Sequence, residues 1–246
     1  RQPLPQEDPK MTDFTMTTDA ECIATIIWDC ASKPMNVMTL DALKVLEGLT
    51  DKALADPEVK AIILTSAKTD FAAGMDLNVL GSMTSSTGSA PAKGIFQTMT
   101  GIHALLRKIE RAGMDIKTKK GGKPIATVLP GTALGIGYEL PLATHRIFAA
   151  TNPKAKIGLP EIMVGIFPGA GGTTRLVRKM GAMAAAPFLI EGKTLAPKKA
   201  KSAGLIDEVS DDPMAAARAW VLQAKDADLV KPWDTKGYKM PGGAPY

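Results

Sequence analysis

Two short turns of small residues constrain this chain more than any other feature of its sequence. Residues 73–75 (AGM) follow the apolar run 61–65, and residues 135–137 (GIG) follow the apolar run 125–129. Each turn follows a strand-like run and precedes a helical one, so its backbone N–H groups lie near a helix start, where the dipole favours negative charge. Two such turns can aim two N–H donors at one point, as polarisation of a carbonyl requires.

Apolar runs at the start of the chain predict buried strands separated by a helix. Residues 23–28 (IATIIW) and 61–65 (AIILT) are short and rich in β-branched residues, as buried strands are. A helix is expected from Thr39, whose hydroxyl can cap its first turn. Strand, helix and strand within about 45 residues indicate an α/β layered fold with covered sheets.

The rest of the chain continues the alternation. Residues 81–94 are small and polar, which predicts a loop that is either a lid over a site or plain surface. The other predicted elements are helices over 95–109, from 169–172 through Met180 and over 213–225, strands over 125–129, 146–150 and 205–209, and a basic connection over 112–123.

Two glutamates lie where an ordinary surface carboxylate would be out of place. Glu139 follows the second turn and is expected in the first turn of a helix, flanked by Tyr138 and Leu140. Glu161 follows Pro160 and precedes an apolar run. Apolar surroundings raise the pKa of a carboxyl group, which suits acid/base chemistry near neutral pH.

Composition excludes several classes of protein. The chain has 246 residues, 45% of them apolar and 22% charged, as in an ordinary globular protein. No apolar run approaches the roughly 18–20 residues of a membrane span. The net charge of +5 is dispersed, so no nucleic-acid partner is expected, although a basic rim could attract a phosphorylated ligand.

Cysteine and histidine are too sparse for a metal site or a disulfide framework. Cys22 and Cys30 lie at either end of a strand-like run, about 25 Å apart if extended, which is too far for a disulfide. They are expected to be buried free thiols in a reducing cytosol. His103 and His145 are far apart in the sequence, and no metal-ligand spacing is present.

Four motifs in order resemble the crotonase superfamily, whose best-known members are the enoyl-CoA hydratases. They read KTDFAAGMDL, GTALGIGYEL, GLPEIMVGIFPGAGGTTRL and APKKAKSAGLIDEV, within a resemblance that covers about residues 23–209. The resemblance implies an α/β fold, a spiral of ββα units in two roughly perpendicular sheets flanked by helices.

The same resemblance implies residue roles. The N–H groups of Met75 and Ile136 would form an oxyanion hole for a thioester oxygen, and Glu139 and Glu161 would be the two catalytic carboxylates. Substrate-binding positions would be Ala73, Gly74, Asp76, Gly135, Pro168 and Gly169. The family pattern has a third glycine where this chain has Ile136, so that side chain must point away from the thioester. Pro141 is expected within or near the first helical turn, because proline lacks an N–H.

The implied activity is hydration of a 2-enoyl-CoA in fatty-acid β-oxidation. Coenzyme A enters as part of the substrate, and no metal or redox cofactor is implied. One alternative is a Δ3–Δ2 enoyl-CoA isomerase or another reaction of the superfamily, since isomerisation needs only one carboxylate. The other alternative is an acyl-CoA-binding or subunit-docking module with impaired catalysis.

The end of the chain resembles the linker that follows the hydratase domain in multifunctional fatty-acid-oxidation enzymes. The predicted organisation is an N-terminal extension (1–12), a hydratase domain (13–210), a C-terminal helix (211–230) and a linker to an absent dehydrogenase part (231–246). Self-association, or docking with the remainder of such an enzyme, is expected. The expected location is the cytoplasm.

Overall fold

A computed structural model describes residues 12–84 and 89–243. The predicted N-terminal extension lies outside these ranges except for Thr12. The strands within these ranges are β1 (Phe14–Thr18), β2 (Ile23–Trp28), β3 (Val37–Met38), β4 (Ala61–Ser66), β5 (Gly74–Met75), β6 (Ile125–Leu129), β7 (Ala133–Leu134), β8 (Arg146–Ala150), β9 (Ile157–Gly158), β10 (Thr194–Leu195) and β11 (Glu208–Ser210).

Helices alternate with these strands within the described ranges. They are α1 (Leu40–Ala55), α2 (Leu77–Thr84), α3 (Ser89–Arg111), α4 (Ile136–Ala143), α5 (Gly172–Met180), α6 (Ala182–Leu189), α7 (Pro197–Ser202), α8 (Pro213–Gln223) and α9 (Asp226–Leu229). Two 3₁₀ helices span Pro160–Val164 and Pro232–Asp234. The predicted cap of α1 is confirmed, because the Thr39 hydroxyl accepts the Ala42 N–H at 3.0 Å.

The largest sheet has six strands in the order β1-β2-β4-β6-β8-β11. Only the β1–β2 pair is antiparallel; the other neighbours are parallel. Helix α8 packs on one face of this sheet, around Ile63, Val128 and Phe148. The other face joins the main core with α1, α3 and α4. The central strands are therefore covered on both sides, which explains their unbroken apolar sequences.

Short strands form a second layer that carries both glycine turns. β3 pairs with β5, and β7 pairs with β9, which pairs with β10. An isolated bridge between Ala72 and Ala133 joins the two groups. The strands β5, β7 and β9 therefore end side by side. The predicted α/β class, with several sheets and flanking helices, is confirmed.

Some predicted boundaries differ from the structure. The predicted loop over residues 81–94 is wrong for 81–84 and 89–94, which belong to α2 and α3, while residues 85–88 lie outside the described ranges. The last strand begins at Glu208 instead of Leu205. Cys22 and Cys30 are free as predicted, but only Cys30 is buried.

The C-terminal part is packed more closely than a free linker would be. Residues 211–230, predicted as one helix, contain α8 and α9. Beyond them the tail, residues 231–243, contacts the domain at several points. Asp234 pairs with Arg107, and the hydroxyl of Tyr238 donates to the Arg178 carbonyl at 2.5 Å. Charged and aromatic side chains therefore anchor residues 231–243 to the domain, while the prediction that residues 231–246 form a linker to a dehydrogenase part stays a prediction.

Candidate active site

Helix α4 presents Glu139 through the glycine turn that precedes it. Gly135 has φ 56° and ψ −131°, which favours glycine at this helix start. The Glu139 N–H donates to the Gly135 carbonyl at 2.9 Å, so Glu139 lies in the first helical turn as predicted. Its side chain is almost fully buried, with 2% of the residue exposed.

The carboxylate of Glu139 meets the N-terminus of a second helix. Its Oε1 accepts the N–H of Gly172, the first residue of α5, at 2.7 Å. Burial and the nearby Glu161 raise the pKa of Glu139 to about 8, against the opposing influence of the N–H groups of Gly172 and Ala170 and of the Arg175 charge. The site thus holds a carboxyl group that can exchange a proton near neutral pH.

Glu161 lies on the 3₁₀ helix that begins at Pro160. Burial raises the pKa of its carboxyl group to about 7. Its Oε2 is buried and has no hydrogen-bond partner among the described residues. A buried carboxyl oxygen without a partner is energetically costly unless it bonds to a ligand or water, so it is available to act on a bound molecule.

Gly135 lies between the first turn and the second carboxylate. A Cβ atom placed on Gly135 would be 3.2 Å from Oε1 of Glu161 and 3.7 Å from the Cα atom of Gly74. The structure therefore brings both predicted turns and Glu161 to one place. Any side chain at Gly135 would fill the space between them.

The first turn has the backbone shape that its sequence predicts. Gly74 has φ 124°, and the N–H of Ala73 donates to the Asn36 carbonyl at 2.9 Å. The carboxylate of Asp76 has two partners close by. It accepts a hydrogen bond from the Asn78 N–H at 2.8 Å, at the start of α2, and it lies 3.5 Å from the Lys33 ammonium. Its predicted role in substrate binding stays a prediction, as does the oxyanion role of Met75.

The second turn and its helix contain two unusual residues. Ile136 is 4% exposed and belongs to the main hydrophobic core, and the expectation that its side chain points away from a bound thioester stays a prediction. Pro141 is the sixth residue of the eight-residue α4, so the expectation that it falls near the first turn is wrong. The helix ends soon after, and the Lys231 ammonium donates to the carbonyls of Leu142 and Thr144 at 3.2 Å and 2.6 Å.

The loop before α5 carries the remaining predicted positions. Pro168 is buried, and Gly169 is half-buried. The carbonyl of Gly169 lies 2.6 Å from Nε2 of His103 on α3. The loop and the long helix α3 are thereby joined beside Glu139. The substrate contacts predicted for Pro168 and Gly169 remain predictions.

Sequence reasoning missed the groups on α5 that position the side chain of Glu139. Gly172 provides a backbone donor, and Arg175, one turn later on α5, is buried and paired with Glu110 on α3. The sequence signal that could have shown this is the arginine four residues after Gly171, on the face of α5 that carries Leu176 into the core.

A cleft also lies away from the two glutamates. A cleft of about 550 Å³ separates the tail from α4 and α5, and is lined by Arg178, Lys179, Asp207 and Trp233 among others. It includes neither Glu139 nor Glu161. Within residues 12–84 and 89–243, no group of three or more metal-ligating side chains could hold an ion, and no helix is long and apolar enough to cross a membrane.

Comparison with known families decides the relationship. The profile of the family described as enoyl-CoA hydratase/isomerase matches residues 30–226, most of the chain and all of the site. The chain belongs to the enoyl-CoA hydratase/isomerase family. The resemblance inferred from the four motifs is confirmed, and the crotonase-like fold with it.

Other members of the family include a long plant protein and solved bacterial structures. The chain is 33% identical over 224 residues to the glyoxysomal fatty acid beta-oxidation multifunctional protein MFP-a of Brassica napus, covering 90% of this chain and 28% of that protein. The chain thus spans under a third of that relative's length.

Solved structures of the family share the fold. An enoyl-CoA hydratase from Geobacillus kaustophilus HTA426 matches with a TM-score of 0.73 and 27% identity, over 87% of this chain and 75% of that one. An enoyl-CoA hydratase from Shewanella pealeana ATCC 700345 has a higher TM-score, 0.75, at 18% identity, over 89% and 77% of the two chains. The second likeness supports the fold alone.

Proposed function

We propose that this enoyl-CoA hydratase/isomerase family member hydrates 2-enoyl-CoA thioesters to 3-hydroxyacyl-CoA. The observation that carries the proposal is that two carboxylates, the buried Glu139 and the half-buried Glu161, lie beside the two glycine turns. Hydration adds hydroxide to C3 and a proton to C2. It therefore needs one group to activate water and another to supply a proton.

The turns supply the electrostatic part of the mechanism. Negative charge accumulates on the thioester oxygen as hydroxide adds, and two aimed N–H donors stabilise it. We assign this role to the N–H groups of Met75 and Ile136. One such donor typically contributes about 3–4 kcal/mol to lowering the barrier.

Hydrogen bonding distinguishes the two carboxylates. Glu139 accepts the N–H of Gly172, and this bond favours its ionised form, which suits a base that orients water. Glu161 has an unpartnered buried oxygen, which costs less when the group is protonated. The two pKa values, about 8 for Glu139 and about 7 for Glu161, rank the groups the other way. We assign the roles by the hydrogen bonds, because the charge of Glu161 itself contributes to the raised pKa of Glu139.

The unpartnered oxygen of Glu161 also favours a second candidate function. A single carboxylate that removes a proton at C4 and returns it at C2, or the reverse, interconverts 3-enoyl and 2-enoyl thioesters. Glu161 has a free oxygen for this transfer. Isomerisation is therefore proposed as a side activity of the same site.

The test is to assay the purified chain with a 2-enoyl-CoA and a 3-enoyl-CoA, beside Glu139→Gln and Glu161→Gln. Hydration that is lost in both variants supports the proposal. Isomerisation that depends on Glu161 alone, with no hydration by the wild-type chain, supports the isomerase. Acyl-CoA binding without any turnover would indicate a binding module instead.

Broader assignments rest on the multifunctional relative. A part in fatty-acid β-oxidation, docking with a dehydrogenase part or self-association, and a cytoplasmic location are proposals. Sedimentation of the purified chain and fractionation of the cells that express it test the last two.

A further inference from the structure

A chain of alternating charges runs from the tail to the loop that holds Glu139. Asp234 accepts two hydrogen bonds from the Arg107 guanidinium, at 2.8 Å and 2.5 Å. Arg107 also donates to Oε2 of Glu110 at 2.5 Å, and Arg175 donates to both oxygens of Glu110 at 3.2 Å and 3.4 Å. The side chains of Glu110 and Arg175 are only 3% and 9% exposed.

The last member of this chain contacts the loop directly. Nη1 of Arg175 donates to the Ala170 carbonyl at 3.3 Å and lies against Gly171, where a Cβ atom would collide with it. Gly172 in turn gives its N–H to Oε1 of Glu139, and the backbone of Ala170 lowers the pKa of the same carboxyl group. The Arg175 guanidinium therefore contacts the same loop whose backbone positions the Glu139 carboxylate.

We propose that Arg175 is a positioning residue for Glu139, and that Glu110, Arg107 and Asp234 hold its guanidinium in place. The inference rests on the proposed function, since it assigns Glu139 the role of base. Arg175 acts in two ways: its hydrogen bond to Ala170 fixes the loop, and its positive charge favours the ionised form of Glu139.

Burial makes this arrangement specific. A buried arginine needs a partner for its charge, and Glu110 alone supplies one carboxylate to two guanidinium groups. Asp234 supplies the second carboxylate, so the four side chains balance. The other titratable groups around Glu139 and Arg175 are Glu161, which opposes ionisation of Glu139, and His103 and Lys231, which flank the loop and the end of α4.

The experiment measures Glu139 directly as well as through activity. Protein labelled with ¹³C at the glutamate carboxyl carbons is titrated by NMR, with the Glu139 resonance assigned by its loss in Glu139→Gln. Arg175→Gln should raise the titration midpoint of Glu139 by about 0.5 pH unit or more, because an opposite charge is removed. It should also lower kcat about 10–100-fold with a smaller change in KM.

Arg175→Lys separates charge from shape and guards against misfolding of the first variant. Lysine keeps the positive charge beside Glu110 but lacks the several N–H donors of the guanidinium group. The titration midpoint of Glu139 should therefore stay near that of the wild type while kcat falls. Arg218→Gln removes a surface arginine paired with Asp19 and Glu21, and should change neither quantity.

Two results would overturn the inference: an unchanged Glu139 midpoint in folded Arg175→Gln, or wild-type kcat in Arg175→Lys. Failure of the proposed function looks different. If the wild-type chain hydrates no 2-enoyl-CoA, the proposed reaction is wrong, and the NMR titration still decides whether Arg175 controls Glu139.

Discussion

The N–H of Gly172 and Oε1 of Glu139 are joined by a 2.7 Å hydrogen bond across two helices. Both helices begin at this contact: Gly172 opens α5, and Glu139 lies in the first turn of α4. Two positive helix ends therefore face one buried carboxylate. This bond favours the ionised form of a carboxyl group on a residue that is only 2% exposed.

Both carboxylates should be required for turnover. Glu139→Gln and Glu161→Gln should each reduce kcat for 2-enoyl-CoA hydration by about 10²–10⁴-fold, the usual contribution of a general acid or base. Binding of an acyl-CoA should be retained, because glutamine keeps the shape of the site. Steady-state kinetics and calorimetric titration measure the two quantities. Glu191→Gln, on the exposed surface, is the control. Near-normal hydration by either site variant would refute the assigned roles.

The hydration activity should have a narrow, bell-shaped pH profile. With pKa values raised to about 7 and about 8, the pair carries a single proton only between those values. Hydration needs one ionised and one protonated carboxyl group, so kcat/KM should peak between about pH 7 and 8 and fall on both sides. A profile that is flat from pH 5 to 9 would show that the pair does not titrate as a unit.

The same pKa shifts should make the site unfavourable for folding at high pH. Both carboxyl groups hold their protons more tightly when folded than at the unfolded value of 4.5. Their contribution is therefore fully favourable below about pH 4.5 and is lost as pH rises through about 7–8. Glu139→Gln should unfold at a higher temperature than the wild type at pH 8.5, with little difference at pH 5. Calorimetry at the two pH values checks this, and an equal change at both would contradict it.

Close contact at Gly172 should make this position intolerant of any side chain. A Cβ atom there would lie 2.9 Å from both Oε1 of Glu139 and Cδ1 of Leu159. Gly172→Ala should therefore displace the carboxylate and reduce kcat about 10²-fold or more, since small misplacements of catalytic groups are costly. Gly101→Ala is the matched control: nothing lies within 4 Å of its added Cβ, and it should stabilise α3 by about 0.5–1 kcal/mol. Equal activity of both variants would contradict the packing seen at Gly172.

The sequence predicted the local parts of this site and missed its long-range support. Glu139 and Glu161 could be found because each stands among apolar neighbours, and Gly135 because it ends a strand. Glu110, by contrast, pairs with Arg175 across 65 positions of the chain. Nothing next to either residue shows this pairing, because an ion pair between distant helices is set by how those helices pack.

The tail shows the same limit. Its prolines and glycines suggest a linker, but composition reports only the local preference of the backbone. Arg107 and Asp234 are 127 positions apart, and their hydrogen bonds fix the tail against α3. Likewise, Lys231 reaches the end of α4 through two carbonyls. Tertiary contacts of this kind override a local signal.

The link between the tail and α3 should contribute measurable stability. Burial raises the pKa of Asp234, but the hydrogen bonds from Arg107 outweigh this and the net pKa is lowered. Asp234→Asn should reduce the free energy of unfolding by about 1–3 kcal/mol at pH 7. The loss should shrink as the wild-type carboxyl group becomes protonated below about pH 4. Asp41→Asn, in an exposed pair with Lys44, should change stability by less than about 0.5 kcal/mol. Equal effects of the two substitutions in urea unfolding would show that the tail is not anchored.

Ile136 offers the sharpest separation of backbone from side chain. Its N–H is the proposed oxyanion donor, while its side chain is 4% exposed in the main core. Ile136→Ala should lower the free energy of unfolding by about 2–5 kcal/mol, and Ile136→Val by about 0.5–1.5 kcal/mol. Both variants keep the backbone donor, so kcat per folded molecule should stay within about threefold of the wild type. Urea unfolding and active-site-normalised kinetics measure the two effects. A loss of kcat beyond about 100-fold in Ile136→Val, with stability unchanged, would mean that the side chain lines the acyl pocket instead of the core.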